Sequence, residues 1–388
     1  MAAHARISRQ KDHPGGVSKR ASRNSNVEML RILAMLMIVV SHCVMFTNLD
    51  VLAQPFGVNK VLIETFLYSG GKIGVVAFFA ISAWYLSEQG GVLAGLRRVW
   101  ILEREMLFWS VALLAASLLL ARPQVSVTMV VHSLFPTITG LWWYPTAYAV
   151  FLLLFPFLAQ GLRALGQPAH AALAVTLFVL FTGLDMLMPL SAVGLPGGNY
   201  LSFVYIYVLI TYYRWYMQPM RTVTAWKLLA GGYLLIMLGA VCGGLLYERT
   251  GRLQVLQVYL GKVEFRLPVL MVGLALFILF ERHEFHSVSV NTIAGSTFGV
   301  YLISEYPTVR AWIWGNPLFD FAALADAFPL LLIPALMGVG CAVLLACTAL
   351  DMLRELLFGV TVDRHRGRWF DDIAMTVNKY VAKGKETI

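Results

Sequence analysis

Two residues of the first apolar segment have the types and the spacing to do chemistry. Arg31 and His42 have ten residues between them, in R-ILAMLMIVVS-H. Eleven α-helical steps advance about 1100°, roughly 20° past three turns, so both side chains share one face. At about 1.5 Å per residue their depths differ by roughly 16 Å, about half a hydrocarbon core. One helix stripe then carries a fixed cation near a membrane surface and a titratable imidazole inside the bilayer. An imidazole titrates at about pH 6.5 in water and suits proton transfer. A guanidinium stays charged and grips phosphate with a planar fork. Ionisable groups in lipid are costly, which makes function the first hypothesis for them. The ordinary alternatives are a snorkelling anchor for Arg31 and a helix–helix hydrogen bond for His42. Glu28 and Met35 fall near the same stripe, and Glu28 can pair with Arg31 three residues on.

The helices that must hold this pair follow from composition. The 388 residues are 59% hydrophobic and 13% charged, with mean hydropathy +0.71. Soluble domains carry about 25% charged residues, so the chain reads as an all-α polytopic membrane protein. A membrane domain over 28–358 lies between a disordered basic cytosolic tail, 1–27, and a cytosolic tail, 359–388. No apolar h-region precedes residue 29, so no cleavable signal is expected. Ten spans are expected, at about 29–48, 72–88, 99–120, 142–161, 170–189, 200–217, 226–247, 265–281, 290–311 and 326–357. With Arg31 and Arg104 set aside and the other residues near span ends counted with the adjoining loop, twenty of the 30 Lys and Arg fall on the side of the two tails and eight on the opposite side. That bias puts both termini in the cytosol of a plasma-membrane protein. It also accounts for the net charge of +9, so no nucleic-acid partner is expected. The four cysteines show neither a disulfide framework nor metal-ligand spacing. In the last tail, Trp369, Phe370, Ile373, Val377, Tyr380 and Val381 recur at helical spacing, which suits an interfacial amphipathic helix contacting membrane lipid.

Other residues stand out less sharply. Glu103, Arg104 and Glu105 are three successive charges that cannot share one helix face. Either one or two line an internal cavity, or the third span begins after residue 105. Lys72 marks an interface or a site, Ser82 packs helices or lines one, and Tyr301 anchors at an interface or hydrogen-bonds a substrate. Trp142, Trp143 and Tyr144 fit an aromatic belt better than a sugar platform.

The opening E-x-L-R-I-L-A-x-x-x-I-V-x-S-H, followed by G-K-I-G-V-V-A-F-F-A-I-S-A-W-Y-L, resembles that of the membrane acyltransferase-3 family. L-W-W-Y-P-T-A-Y near 141–148 and F-G-V-Y-L-I-S near 298–304 agree with it, in order, over most of the chain from 26 to about 350. The resemblance implies ten or more spans and transfer of an acyl group, commonly acetyl from acetyl-CoA, to extracytoplasmic carbohydrate. It implies His42 as the proton- or acyl-transfer residue and Arg31 as its donor-side partner. The family's Arg-x-x-Arg pair around the third span is absent there; Arg97, Arg98 and Arg104 stand in that region instead. Where many members have Y-L-I-H, this chain has Tyr301-Leu302-Ile303-Ser304-Glu305, and Ala83 replaces a glycine of the second-span motif.

Acyl transfer from a thioester to a hydroxyl needs a base, cationic contacts for an anionic donor, and a donor group for the developing oxyanion. His42 is the expected base. Arg31, Arg97 and Arg98, all expected at the cytosolic rim, would hold the phosphates of acyl-CoA. Glu305 should sit about 22 Å along the ninth span and His42 about 20 Å along the first. At that shared depth Glu305 would orient His42 or contact the acceptor. The expected partners are acyl-CoA and a carbohydrate or lipid-linked saccharide; no metal and no permanently bound cofactor are called for. The competing function is a carrier or flippase for lipid-linked sugars, since carriers also use intramembrane charges and internal glycines.

Overall fold

A computed structural model describes residues 23–89, 91–187, 197–365 and 370. The tail over 1–22 and the expected interfacial helix beyond 370 lie outside the described residues. Among the described residues the secondary structure is helical, without strands. The elements that matter here are α1 (Ser25–Phe46), α2 (Gly70–Leu86), α3 (Val92–Leu120), α4 (Trp143–Leu177), α5 (Tyr200–Tyr216), α6 (Thr222–Thr250), α7 (Leu267–Glu281), α8 (Val288–Gly295), α9 (Thr297–Ser304), α10 (Pro307–Trp314) and α11 (Pro329–Val360).

Among the described residues, five helical segments are long and apolar enough to cross a membrane: Ser25–Phe46, Val58–Leu86, Trp143–Met186, Thr222–Thr250 and Pro329–Val360. The second joins a short helix, a π-helical turn (Ile63–Tyr68) and α2 into one rod. Leu267–Glu281 and Val288–Ser304 are apolar but shorter. α3 is 29 residues long, but Arg97, Arg98, Glu103, Arg104 and Glu105 load its first half with charge.

α1 is the hub. The Asn24 side chain caps its start by accepting the Asn26 N–H at 2.9 Å, and Thr47 ends it with its hydroxyl on the Cys43 carbonyl. It packs against α2, α7, α8, α9 and α11, and Leu30, Ala34, Val39 and Cys43 are buried around its circumference. A helix that is apolar on all sides belongs inside a bundle. Lipid tails are as apolar as leucine, so close packing rather than hydrophobic transfer holds membrane helices together. Gly74 shows this: a Cβ there would lie 2.5 Å from the Ala34 carbonyl oxygen, so only glycine lets α2 approach α1 this closely. α6 shows the lipid side. Gly232, Ile236, Ala240 and Gly243 are buried along one stripe, while Leu234 and Leu238 are exposed.

The element boundaries correct several expectations. α1 starts at Ser25, inside the expected tail. α3 is helical from Val92 onward, so the charges at 103–105 lie inside the helix. The expected fourth and fifth spans meet within α4, where Gly166 adopts φ 69° and breaks the helix. The expected ninth span is not continuous. It is α8, α9 and α10, broken around Ser296 and again at Glu305–Tyr306. Pro307 explains the second break, because its ring disfavours helical backbone in the preceding residue. Tyr306 accordingly sits at φ −66°, ψ 132°.

Candidate active site

Arg31 and His42 occupy opposite ends of α1. At the Arg31 end a cavity of about 650 Å³ opens between α1, α2, α3 and α4, with Arg23, Glu28, Arg31, Ser82, Arg98 and Tyr148 in its wall. Glu28 is buried, with its carboxylate oxygens 3.7 Å from Arg31 Nε and 3.9 Å from an Arg23 nitrogen. Those are ion-pair distances, and Arg31 Nε has no hydrogen-bond partner. Glu28 thus neutralises part of the charge without occupying the guanidinium donors. Arg98 donates to the Ala94 carbonyl at 3.2 Å and to the Gln89 side chain. Three arginines and the two glutamates Glu28 and Glu284 make this cavity net cationic.

A file of tyrosines leads away from it. Ser82 hydrogen-bonds the Tyr148 hydroxyl. Tyr148 stacks on Tyr144 with centroids 6.1 Å apart, as expected for side chains four residues apart on one helix. Tyr144 lies 6.2 Å from Tyr301, and Tyr301 lies 6.4 Å from the His42 ring. Arg31 interacts electrostatically with Tyr144 and Tyr148. The Tyr144 hydroxyl is buried without a hydrogen-bond partner among the described residues. Buried hydroxyls are rarely left so, and this one is a free donor between the Arg31 cavity and His42.

At the far end of the file, His42 Nδ1 is 2.9 Å from Glu305 Oε1. The contact has ion-pair distance without the alignment of a hydrogen bond. Glu305 caps the C-terminus of α9 with its N–H on the Tyr301 carbonyl, one residue before the chain turns extended at Tyr306. Its other oxygen is 3.5 Å from Arg310, whose guanidinium lies over the Phe46 ring at 4.7 Å. Glu305 is 8% exposed and His42 16%, so the carboxylate is sheltered while the ring keeps some access. A carboxylate beside Nδ1 favours a proton on that nitrogen in the neutral ring, and Nε2 is then the basic nitrogen.

A family model described as an acyltransferase domain matches residues 24–352. The chain belongs to the acyltransferase-3 family. No curated protein and no solved structure matches it. The matched range runs from the α1 cap into the last third of α11, so it contains the tyrosine file, the His42–Glu305 pair and, Arg23 aside, the wall of the Arg31 cavity of this acyltransferase-3 protein.

The remaining candidates fall elsewhere. Arg97 is exposed and is not in the cavity wall. Lys72 is 3.0 Å from Glu264 Oε2 and lies over the Trp143 ring at 4.5 Å; Glu264 Oε1 accepts the Gly198 N–H at 2.7 Å. The three successive charges of α3 take three separate partners. Glu103 accepts from Thr137, Arg104 pairs with Asp363 at 2.8 Å, and Glu105 is 3.2 Å from Arg354. Arg354 also makes a two-pronged contact with Asp351, which accepts the Trp109 indole N–H at 2.9 Å. Gly299 makes room for that carboxylate, since a Cβ there would collide with Asp351. These groups tie helices together. Sequence reasoning weighed Tyr144 only as a belt or sugar-platform residue, and it passed over Tyr148 and Arg310 as site candidates. The i, i+4 spacing of the tyrosines in L-W-W-Y-P-T-A-Y was the available signal.

Proposed function

We propose that this acyltransferase-3 protein is an integral-membrane O-acetyltransferase. It moves acetyl from acetyl-CoA to a hydroxyl of a cell-surface or exported polysaccharide, or of its lipid-linked precursor. The observation that carries this reading is the Glu305 carboxylate at Nδ1 of His42, joined by the tyrosine file to a cationic cavity containing Arg31. The bundle crosses the plasma membrane ten times, counting the short and broken helices as crossings, with both termini and the Arg31 cavity on the cytosolic side. That orientation rests on the distribution of Lys and Arg.

Arg31 and Arg98 hold the phosphates of the donor, because a guanidinium pairs with phosphate through two parallel hydrogen bonds. The pantetheine arm runs past Ser82 and Tyr148, bringing the thioester to Tyr144. His42 Nε2 takes the proton of the acceptor hydroxyl as its oxygen attacks the thioester carbonyl carbon. The Tyr144 hydroxyl donates to the oxyanion that forms. As the C–S bond breaks, the imidazolium returns its proton to the departing thiolate, giving an acetyl ester and free coenzyme A. Glu305 stabilises the imidazolium between these steps.

The broken helix α8–α10 is also a carrier feature, since discontinuous helices often build transport sites. Purified protein with radiolabelled acetyl-CoA and a panel of saccharide acceptors separates the two readings. Covalent label on a saccharide supports the enzyme. Absence of transfer across the panel, with saccharide movement across vesicles, supports the carrier.

A further inference from the structure

Two more cavities lie at the Arg31 end of the bundle, and neither shares a wall residue with the Arg31 cavity. The first, about 650 Å³, contains Arg214, Arg221 and Arg282 against a single carboxylate, Glu281. The second, about 250 Å³, runs between α5, α6 and α7 and has no charged residue in its wall; Leu209, Leu228, Leu270 and Leu274 are among its lining. They are continuous, sharing Trp84, Tyr213, Met217, Met220, Phe277 and Ile278. A cationic mouth therefore opens into an apolar groove.

The three arginines are not equivalent. Arg214 is already engaged: it donates to Ser87 Oγ at 3.0 Å, lies 3.5 Å from Glu88, and stacks on Trp84 at 4.4 Å. Arg282 donates to the Thr222 hydroxyl, which leaves the rest of its fork open. Arg221 is exposed at the cap of α6. Three arginines against Glu281 leave the wall of the mouth with a formal excess of two positive charges. We propose that this continuous space binds an anionic glycerophospholipid, its phosphate on Arg221 and Arg282 and one acyl chain in the groove between α5, α6 and α7. A free phosphate gains nothing from an apolar groove, and a zwitterionic lipid leaves the excess positive charge uncompensated. The site stands apart from the acyl-transfer residues, so its fate and theirs are separable.

The test is native mass spectrometry of the purified full-length protein with equal amounts of phosphatidylglycerol and phosphatidylcholine, with thermal midpoints recorded to check folding. The wild type should retain phosphatidylglycerol preferentially. Arg221→Gln and Arg282→Gln should each lower that retention about fivefold, the effect of one basic residue near an anionic headgroup. The Arg221→Lys/Arg282→Lys variant should keep most of it. Leu274→Trp, which fills the groove, should lower retention of the lipid, while Leu274→Met should not. Equal retention of the two lipids, undiminished retention in the double glutamine variant or in Leu274→Trp, or displacement of the lipid by inorganic phosphate alone would overturn the proposal.

Discussion

From the C-cap of α9, the Glu305 carboxylate meets His42 Nδ1 at 2.9 Å. The Glu305 N–H still donates to the Tyr301 carbonyl, so α9 itself places this residue. The chain leaves helical backbone at Tyr306, ahead of Pro307. Beyond that break, Arg310 of α10 lies 3.5 Å from the other carboxylate oxygen.

Glu305→Gln keeps the shape and removes the charge that stabilises an imidazolium. It should lower kcat about a hundredfold, with KM for acetyl-CoA nearly unchanged. Steady-state kinetics at matched protein level measure this, and unaltered turnover would remove Glu305 from the reaction.

Arg31→Lys keeps the charge and loses the planar fork. Donor affinity should suffer more than chemistry, with KM for acetyl-CoA raised about tenfold and kcat within a few-fold of wild type. A fall in kcat alone would place Arg31 at the reacting atoms instead.

Tyr144→Phe removes only a hydroxyl that has no hydrogen-bond partner among the described residues. As the oxyanion donor its loss should lower kcat about a hundredfold without lowering the thermal midpoint. A stability loss with normal kcat would make the hydroxyl structural.

Glu264 gives a pH dependence outside the spans. Burial alone would raise its carboxyl, but Lys72 and the Gly198 N–H overcome this and hold it below the ordinary value of 4.5. A depressed carboxylate contributes stability that is present above the unfolded value and is lost as pH falls through the folded one. The thermal midpoint in detergent should therefore drop below about pH 4.5, and Glu264→Gln should flatten that drop. Lys72→Met leaves the buried carboxylate unpaired and should cost about 3 kcal/mol at neutral pH. A pH-independent midpoint in the wild type would contradict this account of the Lys72 side of the bundle.

The sequence made the Arg31–His42 stripe legible because helical periodicity is local: α1 is one unbroken helix, and eleven steps fix the relation of its side chains. Glu305 was reachable through depth alone. Its route there was not, because hydropathy over 290–311 favours one span and outweighs a single proline. The tyrosine file was hidden for a different reason. Aromatics near span ends commonly form interface belts, and only packing shows that Tyr144 and Tyr148 turn inward. The partners of Glu103, Arg104 and Glu105 are likewise tertiary, since Thr137 lies ahead of α4 while Arg354 and Asp363 lie at and just beyond the end of α11. Arg97 and Arg98 are neighbours in sequence, yet only Arg98 enters the cavity wall, as adjacent helix positions must point about 100° apart.

The central claim is that the His42 imidazole carries the proton of the acceptor hydroxyl. Transfer of radiolabelled acetyl from acetyl-CoA to a saccharide acceptor, compared between wild type and His42→Ala at equal folded protein and equal donor occupancy, tests it most directly. The account predicts that transfer by His42→Ala falls to background while acetyl-CoA still binds. Transfer at the wild-type rate would contradict it.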